Sequence, residues 1–140
     1  MTERALIDTG PLVGLYHDED PHHARCRAAL AGFGPPLLTC WPVLTEAAWL
    51  LRKRPDAFRA IIRDFDKDLF ALLPLDGGDL AGIAAIMRRY EDARLQLADA
   101  ALAHLAEREG IRTVFTLDRR DFSIIRLKRN RALKVVPELR

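Results

Sequence analysis

Short apolar runs alternate with segments of helical periodicity along the chain, and this alternation limits the possible folds more than any other feature. The apolar runs predict strands at 4–8, 37–40, 69–75, 112–117 and 133–136. The segments between them predict helices from 9 to about 16, from 20 to about 32, from 42, from 55, from 76 to about 90, and from 97 to 109. Strands that alternate with helices indicate an α/β fold with a mostly parallel sheet covered by helices. A length of 140 residues suits a single domain over residues 1–140.

Proline, glycine and aspartate residues mark the predicted helix ends. Asp20 is a suitable N-cap with Pro21 in the first helical position, and Pro42 and Pro55 open two later helices. Gly110 follows the helix at 97–109, in the position where glycine commonly ends a helix.

Four acidic residues stand at the ends of these predicted elements. Asp8 and Asp118 each follow an apolar run, whereas Glu46 and Asp99 lie near the starts of apolar helices. Functional sites in open α/β sheets form just outside the carboxyl ends of the strands, so we expect the four carboxylates to converge there. Each acid taken alone could equally be a helix cap or a surface residue. The four together favour a metal site.

Clustered carboxylates suit the hydrolysis of a phosphodiester. Two divalent cations about 4 Å apart neutralise the phosphate, generate hydroxide from water and stabilise the leaving oxygen. Mg²⁺ and Mn²⁺ prefer oxygen ligands, so the four acids are the predicted metal ligands and catalytic residues. Thr9 and Thr116 are close enough in sequence to orient a carboxylate or a coordinated water.

Positive charge is concentrated at the C-terminal end of the chain. The net charge is +2, but residues 119–140 carry eight Lys or Arg and two acids, which gives +6 there and −4 for residues 1–118. A basic segment of this kind is a candidate for binding phosphate or an acidic partner. We predict RNA contacts for Arg88, Arg89, Arg119 and Arg120.

The composition is that of a soluble globular protein, with 49% hydrophobic and 30% charged residues. No apolar run approaches the ~20 residues of a membrane span, and the N-terminus shows no signal-peptide pattern. Cys26 and Cys40 lack metal-ligand spacing, which predicts two reduced, buried thiols. We therefore expect a cytoplasmic protein that does not contact membranes.

Four short motifs, taken in order, resemble those of the PIN-domain ribonucleases, and most closely the VapC-type toxins of bacterial toxin–antitoxin pairs. The motifs are Ala5-Leu6-Ile7-Asp8-Thr9-Gly10-Pro11-Leu12, Pro42-Val43-Leu44-Thr45-Glu46, Leu97-Ala98-Asp99-Ala100-Ala101-Leu102 and Thr116-Leu117-Asp118-Arg119-Arg120-Asp121-Phe122. Each motif alone is weak, but four in this order span nearly the whole chain.

The resemblance implies a PIN-like three-layer α/β/α sandwich and an endoribonuclease that uses one or two Mg²⁺ or Mn²⁺ ions. It also implies an RNA substrate, a cognate antitoxin and a homodimer. The family's metal-binding acids match Asp8, Glu46, Asp99 and Asp118.

Three further positions near the motifs bear on the periphery of the implied site. Asp121 matches a supporting acid. Related chains often carry an acid three residues before the aspartate of the third motif, where this chain has Gln96. Asp92 still matches an acid upstream of that motif.

Two other functions stay open on the sequence. A PIN-fold nuclease could act in RNA processing outside a toxin pair, and a non-cleaving module could hold RNA or a protein. Trp41 and Trp49 could stack on bases, although the apolar neighbours of Trp49 favour packing in the core or in an interface.

Overall fold

A computed structural model describes residues 3–127 and 131–137. Its strands are β1 (Ala5–Ile7), β2 (Leu37–Thr39), β3 (Phe70–Leu72), β4 (Thr113–Phe115), β5 (Arg126–Leu127), β6 (Arg131–Ala132) and β7 (Lys134–Val136). Five of them form one parallel sheet in the order β3–β2–β1–β4–β7, and β5 pairs with β6 in a separate antiparallel hairpin. The predicted mostly parallel sheet is therefore confirmed.

Helices cover both faces of this sheet. They are α1 (Thr9–Tyr16), α2 (His23–Leu30), α3 (Trp41–Leu50), α4 (Pro55–Asp66), α5 (Leu80–Arg89), α6 (Leu97–Glu109) and α7 (Arg119–Ser123). Successive strand residues point to opposite faces, yet every residue of β1, β2 and β4 is buried. Among the described residues, no helix is both long and apolar enough to cross a membrane.

The sheet register aligns the carboxyl ends of its central strands. Leu6 of β1 lies opposite Leu38 of β2 and Val114 of β4. The hydroxyl of Thr39 donates a hydrogen bond of 2.9 Å to the carbonyl of Ile7, which ties the ends of β2 and β1 together. The residues that follow these strands therefore emerge at one edge of the sheet.

Helix α6 is the most deeply buried helix that contributes to this edge. Eight of its 13 residues are buried, including Leu102 and Leu105 with no exposed surface. The helix ends at Gly110, whose φ of +68° places it in the left-handed region that favours glycine. The predicted helix at 97–109 is therefore observed with the predicted bounds and end signal.

Three local expectations were wrong in their extent. The second helix begins at His23, because the carboxylate of Asp20 accepts a hydrogen bond of 2.8 Å from the backbone N–H of His22 and caps a turn instead. Asp76 caps a short 3₁₀ turn ahead of α5, and β3 is only three residues long. Helix α7 and the β5–β6 hairpin were not predicted, since five- and two-residue elements show no usable periodicity.

Truncation of Leu102 to alanine is expected to destabilise the protein by about 2–5 kcal/mol, because it leaves a cavity under the sheet. The free energy of unfolding from urea titration measures the loss. Leu97→Ala on the same helix is the matched control, because Leu97 is 52% exposed. Equal losses in the two variants would contradict the assignment of α6 as the central core helix.

Candidate active site

Asp8 is fixed in one orientation at the end of β1. It is the N-cap of α1, and one of its carboxylate oxygens accepts a hydrogen bond of 2.7 Å from the backbone N–H of Thr9. The other oxygen accepts a 2.7 Å bond from the hydroxyl of Thr116, which follows β4. Only 6% of Asp8 is exposed. The predicted supporting residues thus both contact Asp8, Thr9 through its backbone and Thr116 through its side chain.

Asp99 is buried in the first turn of α6. One carboxylate oxygen accepts a 3.1 Å hydrogen bond from the backbone N–H of Gln96, the N-cap residue of that helix. Gln96, which stands where related chains often carry an additional acid, therefore has a structural role through its main chain. Its exposed side chain adds no charge to the site.

Asp118 and Asp121 lie on the short segment after β4. The carboxylate of Asp118 caps α7 by accepting a 3.2 Å bond from the backbone N–H of Asp121. The backbone N–H of Asp118 donates a hydrogen bond of 2.9 Å to the hydroxyl of Thr116, so this threonine links Asp118 to Asp8. One carboxylate oxygen from each of Asp99, Asp118 and Asp121 lies within 4.8 Å of the other two.

Glu46 lies at the margin of this cluster. It is on the exposed surface of α3, outside the 4.8 Å group, but its charge contributes to raising the pKa of Asp8. Asp92 lies on an exposed 3₁₀ turn and is likewise not part of that group. The structure therefore brings together three predicted acids directly, with Asp8 and Glu46 beside them.

The electrostatics of the site show an excess of negative charge. Burial raises the pKa of Asp8 to about 6, and the charges of Glu46 and Asp118 add to the effect against the two hydrogen bonds that oppose it. Burial and the nearby charge of Asp8 raise the pKa of Asp99 to about 7. Burial and Asp118 raise the pKa of Asp121, while the charge of Arg120 lowers it. At Asp8 and Asp99, desolvation outweighs the hydrogen bonds that lower the pKa.

These residues fit a divalent cation. Mg²⁺ holds oxygen ligands at about 2.0–2.1 Å, so ligands on opposite sides of the ion are about 4 Å apart. Adjacent ligands are about 3 Å apart, so three carboxylate oxygens that already lie within 4.8 Å of one another could be drawn onto one ion. In addition, the buried hydroxyl of Thr9 has no hydrogen-bond partner among the described residues, and such orphaned groups call for a polar ligand or water.

The four predicted RNA-binding arginines are in different environments. Arg119 is half-buried and donates a hydrogen bond to the carbonyl of Pro137, whereas Arg120 is exposed beside Asp121. Arg88 and Arg89 are exposed in the last turn of α5. Arg120 is thus the arginine among them whose charge reaches the acidic cluster.

The chain resembles known proteins in both sequence and structure. A family model described as the PIN domain matches residues 5–128. The chain belongs to the PIN-domain family. Ribonuclease VapC26 of Mycobacterium tuberculosis is 32% identical over 123 residues, which cover 86% of this chain and 91% of that protein. The predicted resemblance to VapC-type PIN proteins is confirmed.

Solved structures share the fold of this PIN-domain chain. VapC20 of Mycobacterium tuberculosis, described as a sarcin–ricin loop cleaving toxin, has a TM-score of 0.76 at 18% identity and covers 84% of this chain and 92% of its own. A toxin–antitoxin complex from Klebsiella pneumoniae has a TM-score of 0.68 at 20% identity, with 86% and 92% covered. VapBC2 of Rickettsia felis, bound to a promoter DNA fragment, has a TM-score of 0.60 at 14% identity, with 94% and 96% covered. The expected PIN fold is therefore confirmed.

The raised carboxyl pKa values make the stability of the metal-free protein, kept in EDTA, depend on pH. Folded Asp99 has a pKa of about 7 and folded Asp8 of about 6, against an ordinary value of 3.8, so the folded state binds more protons than the unfolded chain between about pH 4 and pH 7. Stability is therefore expected to fall as pH rises through this window. Thermal unfolding in EDTA from pH 4 to 8 measures the effect.

The Asp99→Asn variant should flatten this pH dependence and raise Tm at pH 8 by about 3 °C or more, which is roughly 1 kcal/mol for a chain of this length. Asp56→Asn is the matched control, because Asp56 is exposed on α4 and pairs with Arg59. An unchanged pH profile in Asp99→Asn would show that Asp99 carries no unfavourable charge.

Proposed function

We propose that this PIN-domain chain is a divalent-metal-dependent endoribonuclease and the toxin of a toxin–antitoxin pair. The observation that carries the proposal is the convergence of Asp8, Asp99, Asp118 and Asp121 at the carboxyl edge of the sheet, with raised pKa values at three of them. The related protein named a ribonuclease and the similar folds in toxin–antitoxin complexes support the same assignment.

The acids have different positions around the proposed cation. A bound Mg²⁺ or Mn²⁺ neutralises the phosphate, promotes deprotonation of water and stabilises the leaving oxygen. Asp99, Asp118 and Asp121 supply the closest set of oxygens for one ion. Asp8 cannot rotate freely, because both of its oxygens already accept hydrogen bonds, and it presents a fixed negative charge beside that set. Glu46 is exposed and lies at the margin of this set, where its charge reaches Asp8.

Exposed arginines complete the proposed substrate site. Arg120 lies beside Asp121 and is placed to contact a phosphate on the far side of the acidic cluster. Arg88 and Arg89 lie at the exposed end of α5 and can contact more distant phosphates of the same RNA. Arg119 already bonds the carbonyl of Pro137, so its role is to hold α7 near β7.

Removal of the central acids is expected to abolish cleavage without unfolding the protein. Asp99→Asn and Asp118→Asn should each lower the cleavage rate of a mixed RNA pool about 100-fold or more, because metal coordination supplies several kcal/mol to the transition state. Wild-type cleavage should depend on Mg²⁺ or Mn²⁺ and stop in EDTA. Gel analysis of end-labelled RNA measures the cuts, and circular dichroism checks the fold.

The exposed pair on α4 supplies the matched control for this assay. Asp56→Asn removes one carboxylate of the same type far from the cluster and should cut RNA at the wild-type rate. Cleavage that persists in Asp99→Asn and Asp118→Asn, or that is indifferent to EDTA, would overturn the proposed nuclease.

The toxin assignment predicts growth arrest that depends on the same acids. Induced expression of the wild-type chain should halt bacterial growth, and expression of Asp99→Asn should not. Co-expression of the small reading frame adjacent to its gene should restore growth, because the proposed antitoxin occupies the toxin. Cleavage in vitro without arrest, or arrest that no neighbouring protein relieves, would instead favour a nuclease of RNA processing. A homodimer, measured by sedimentation, is the oligomeric state proposed for the free chain.

A further inference from the structure

Helix α3, which carries Glu46, exposes both tryptophans of the chain. Trp41 is 60% exposed and Trp49 is 63% exposed, so neither packs in the core, contrary to one interpretation of the sequence. Large aromatic side chains usually bury most of their surface, and two exposed on one helix point to a ligand.

An arginine holds the ring of Trp49 in place. The Arg52 guanidinium carbon lies 3.9 Å from the centre of that ring, and its Nη1 donates a hydrogen bond of 2.9 Å to the Trp49 carbonyl. The arginine covers one face of the indole, while the exposure of the residue leaves surface for a second flat group. A stack of arginine, indole and base is a recurrent arrangement in single-strand binding.

Two exposed cationic residues follow Trp49 in the sequence. Arg52 and Lys53 are exposed, and within the described parts of the chain neither has a carboxylate at ion-pair distance. Their neighbour Arg54 differs, since it pairs with Asp18 and Glu19. Two unpaired cations beside exposed aromatic rings suit a phosphate backbone.

The surface is continuous with the proposed cleavage site. Glu46 precedes Trp49 by three residues on α3, a rise of about 4.5 Å along the helix, so the two side chains are neighbours on its surface. The charge of Glu46 in turn reaches Asp8. Trp49 and the acidic cluster are therefore linked through Glu46.

We propose that Trp41, Trp49, Arg52 and Lys53, termed here the α3 platform, bind unpaired RNA beside the cleavage site, with a base stacked on the free face of Trp49. The proposal rests on the proposed nuclease function and names how its substrate is held. It gives the protein a preference for single-stranded or looped RNA over continuous duplex, because a paired base cannot leave its stack to reach the indole.

Binding to a labelled, unstructured RNA of about 12 nucleotides tests the platform in the Asp99→Asn background, where no cutting is expected. Trp49→Ala should weaken binding about 5- to 100-fold, and Trp49→Phe should keep most of the affinity. In Trp41→Phe the only indole is Trp49, so its fluorescence should be quenched when RNA is added. Arg52→Gln should lower the salt dependence of log K by about 0.7, as expected for one lost single-strand phosphate contact.

Leu80→Ala is the matched control, because Leu80 on α5 is as exposed as Trp49. Unchanged affinity in Trp49→Ala together with unquenched emission in Trp41→Phe would overturn the platform. Loss of self-association or of antitoxin binding in Trp49→Ala with unchanged RNA affinity would also overturn it, by showing a protein interface. RNA binding through Trp49 in a protein that cuts no RNA would keep the platform and remove the nuclease, so the two failures are distinguishable.

Discussion

Repulsion between carboxylates at one edge of the sheet is the constraint on which this structure depends. Each acid is held by a backbone or hydroxyl donor: Asp8 by Thr9 and Thr116, Asp99 by Gln96, and Asp118 by the amide of Asp121. Three of these donors are amides at the N-termini of α1, α6 and α7, where the helix dipole also favours negative charge. The donors fix geometry but do not cancel the cost of burial, since the pKa values of Asp8 and Asp99 still rise. A divalent cation would offset this excess of negative charge.

The parallel sheet is what brings such distant residues together. Asp8 and Thr116 are 108 positions apart, yet the register of β1 with β4 places them at hydrogen-bond distance. The same arrangement makes Thr116 a shared link, because its hydroxyl donates to Asp8 and accepts from the amide of Asp118. The burial of α6 adds the third support, since it fixes the position of Asp99 relative to the strands. The packing of the core therefore also sets the geometry of the site in this chain.

The sequence was sufficient for features that repeat or that end a long pattern. The apolar runs before Asp8 and Asp118 predicted the sheet edge, and the 13-residue helix α6 was predicted together with the glycine that ends it. The short helix α7 was not predicted, because a cap and five residues show no periodicity. Long-range polar pairs were also beyond reach: Asp79 binds His104 at 2.8 Å and Arg108 at 3.0 Å, across 25 and 29 residues, and joins the start of α5 to α6. The role of Gln96 was not predicted, because it acts through its backbone N–H, which every residue type except proline has.

An acidic edge poses a difficulty for any RNA substrate, since carboxylates that would hold a cation also repel phosphate. Additional lysines or arginines inside the cluster would compete with the cation for the same oxygens, so the energy of RNA binding has to come from outside it. Stacking on an indole is independent of net charge and therefore works beside a negative site. On this argument the exposed Trp49, held by Arg52 on the same helix as Glu46, is placed where affinity can be gained without disturbing the acids. Arg120 supplies charge beside Asp121, where it already lowers the pKa of that carboxyl.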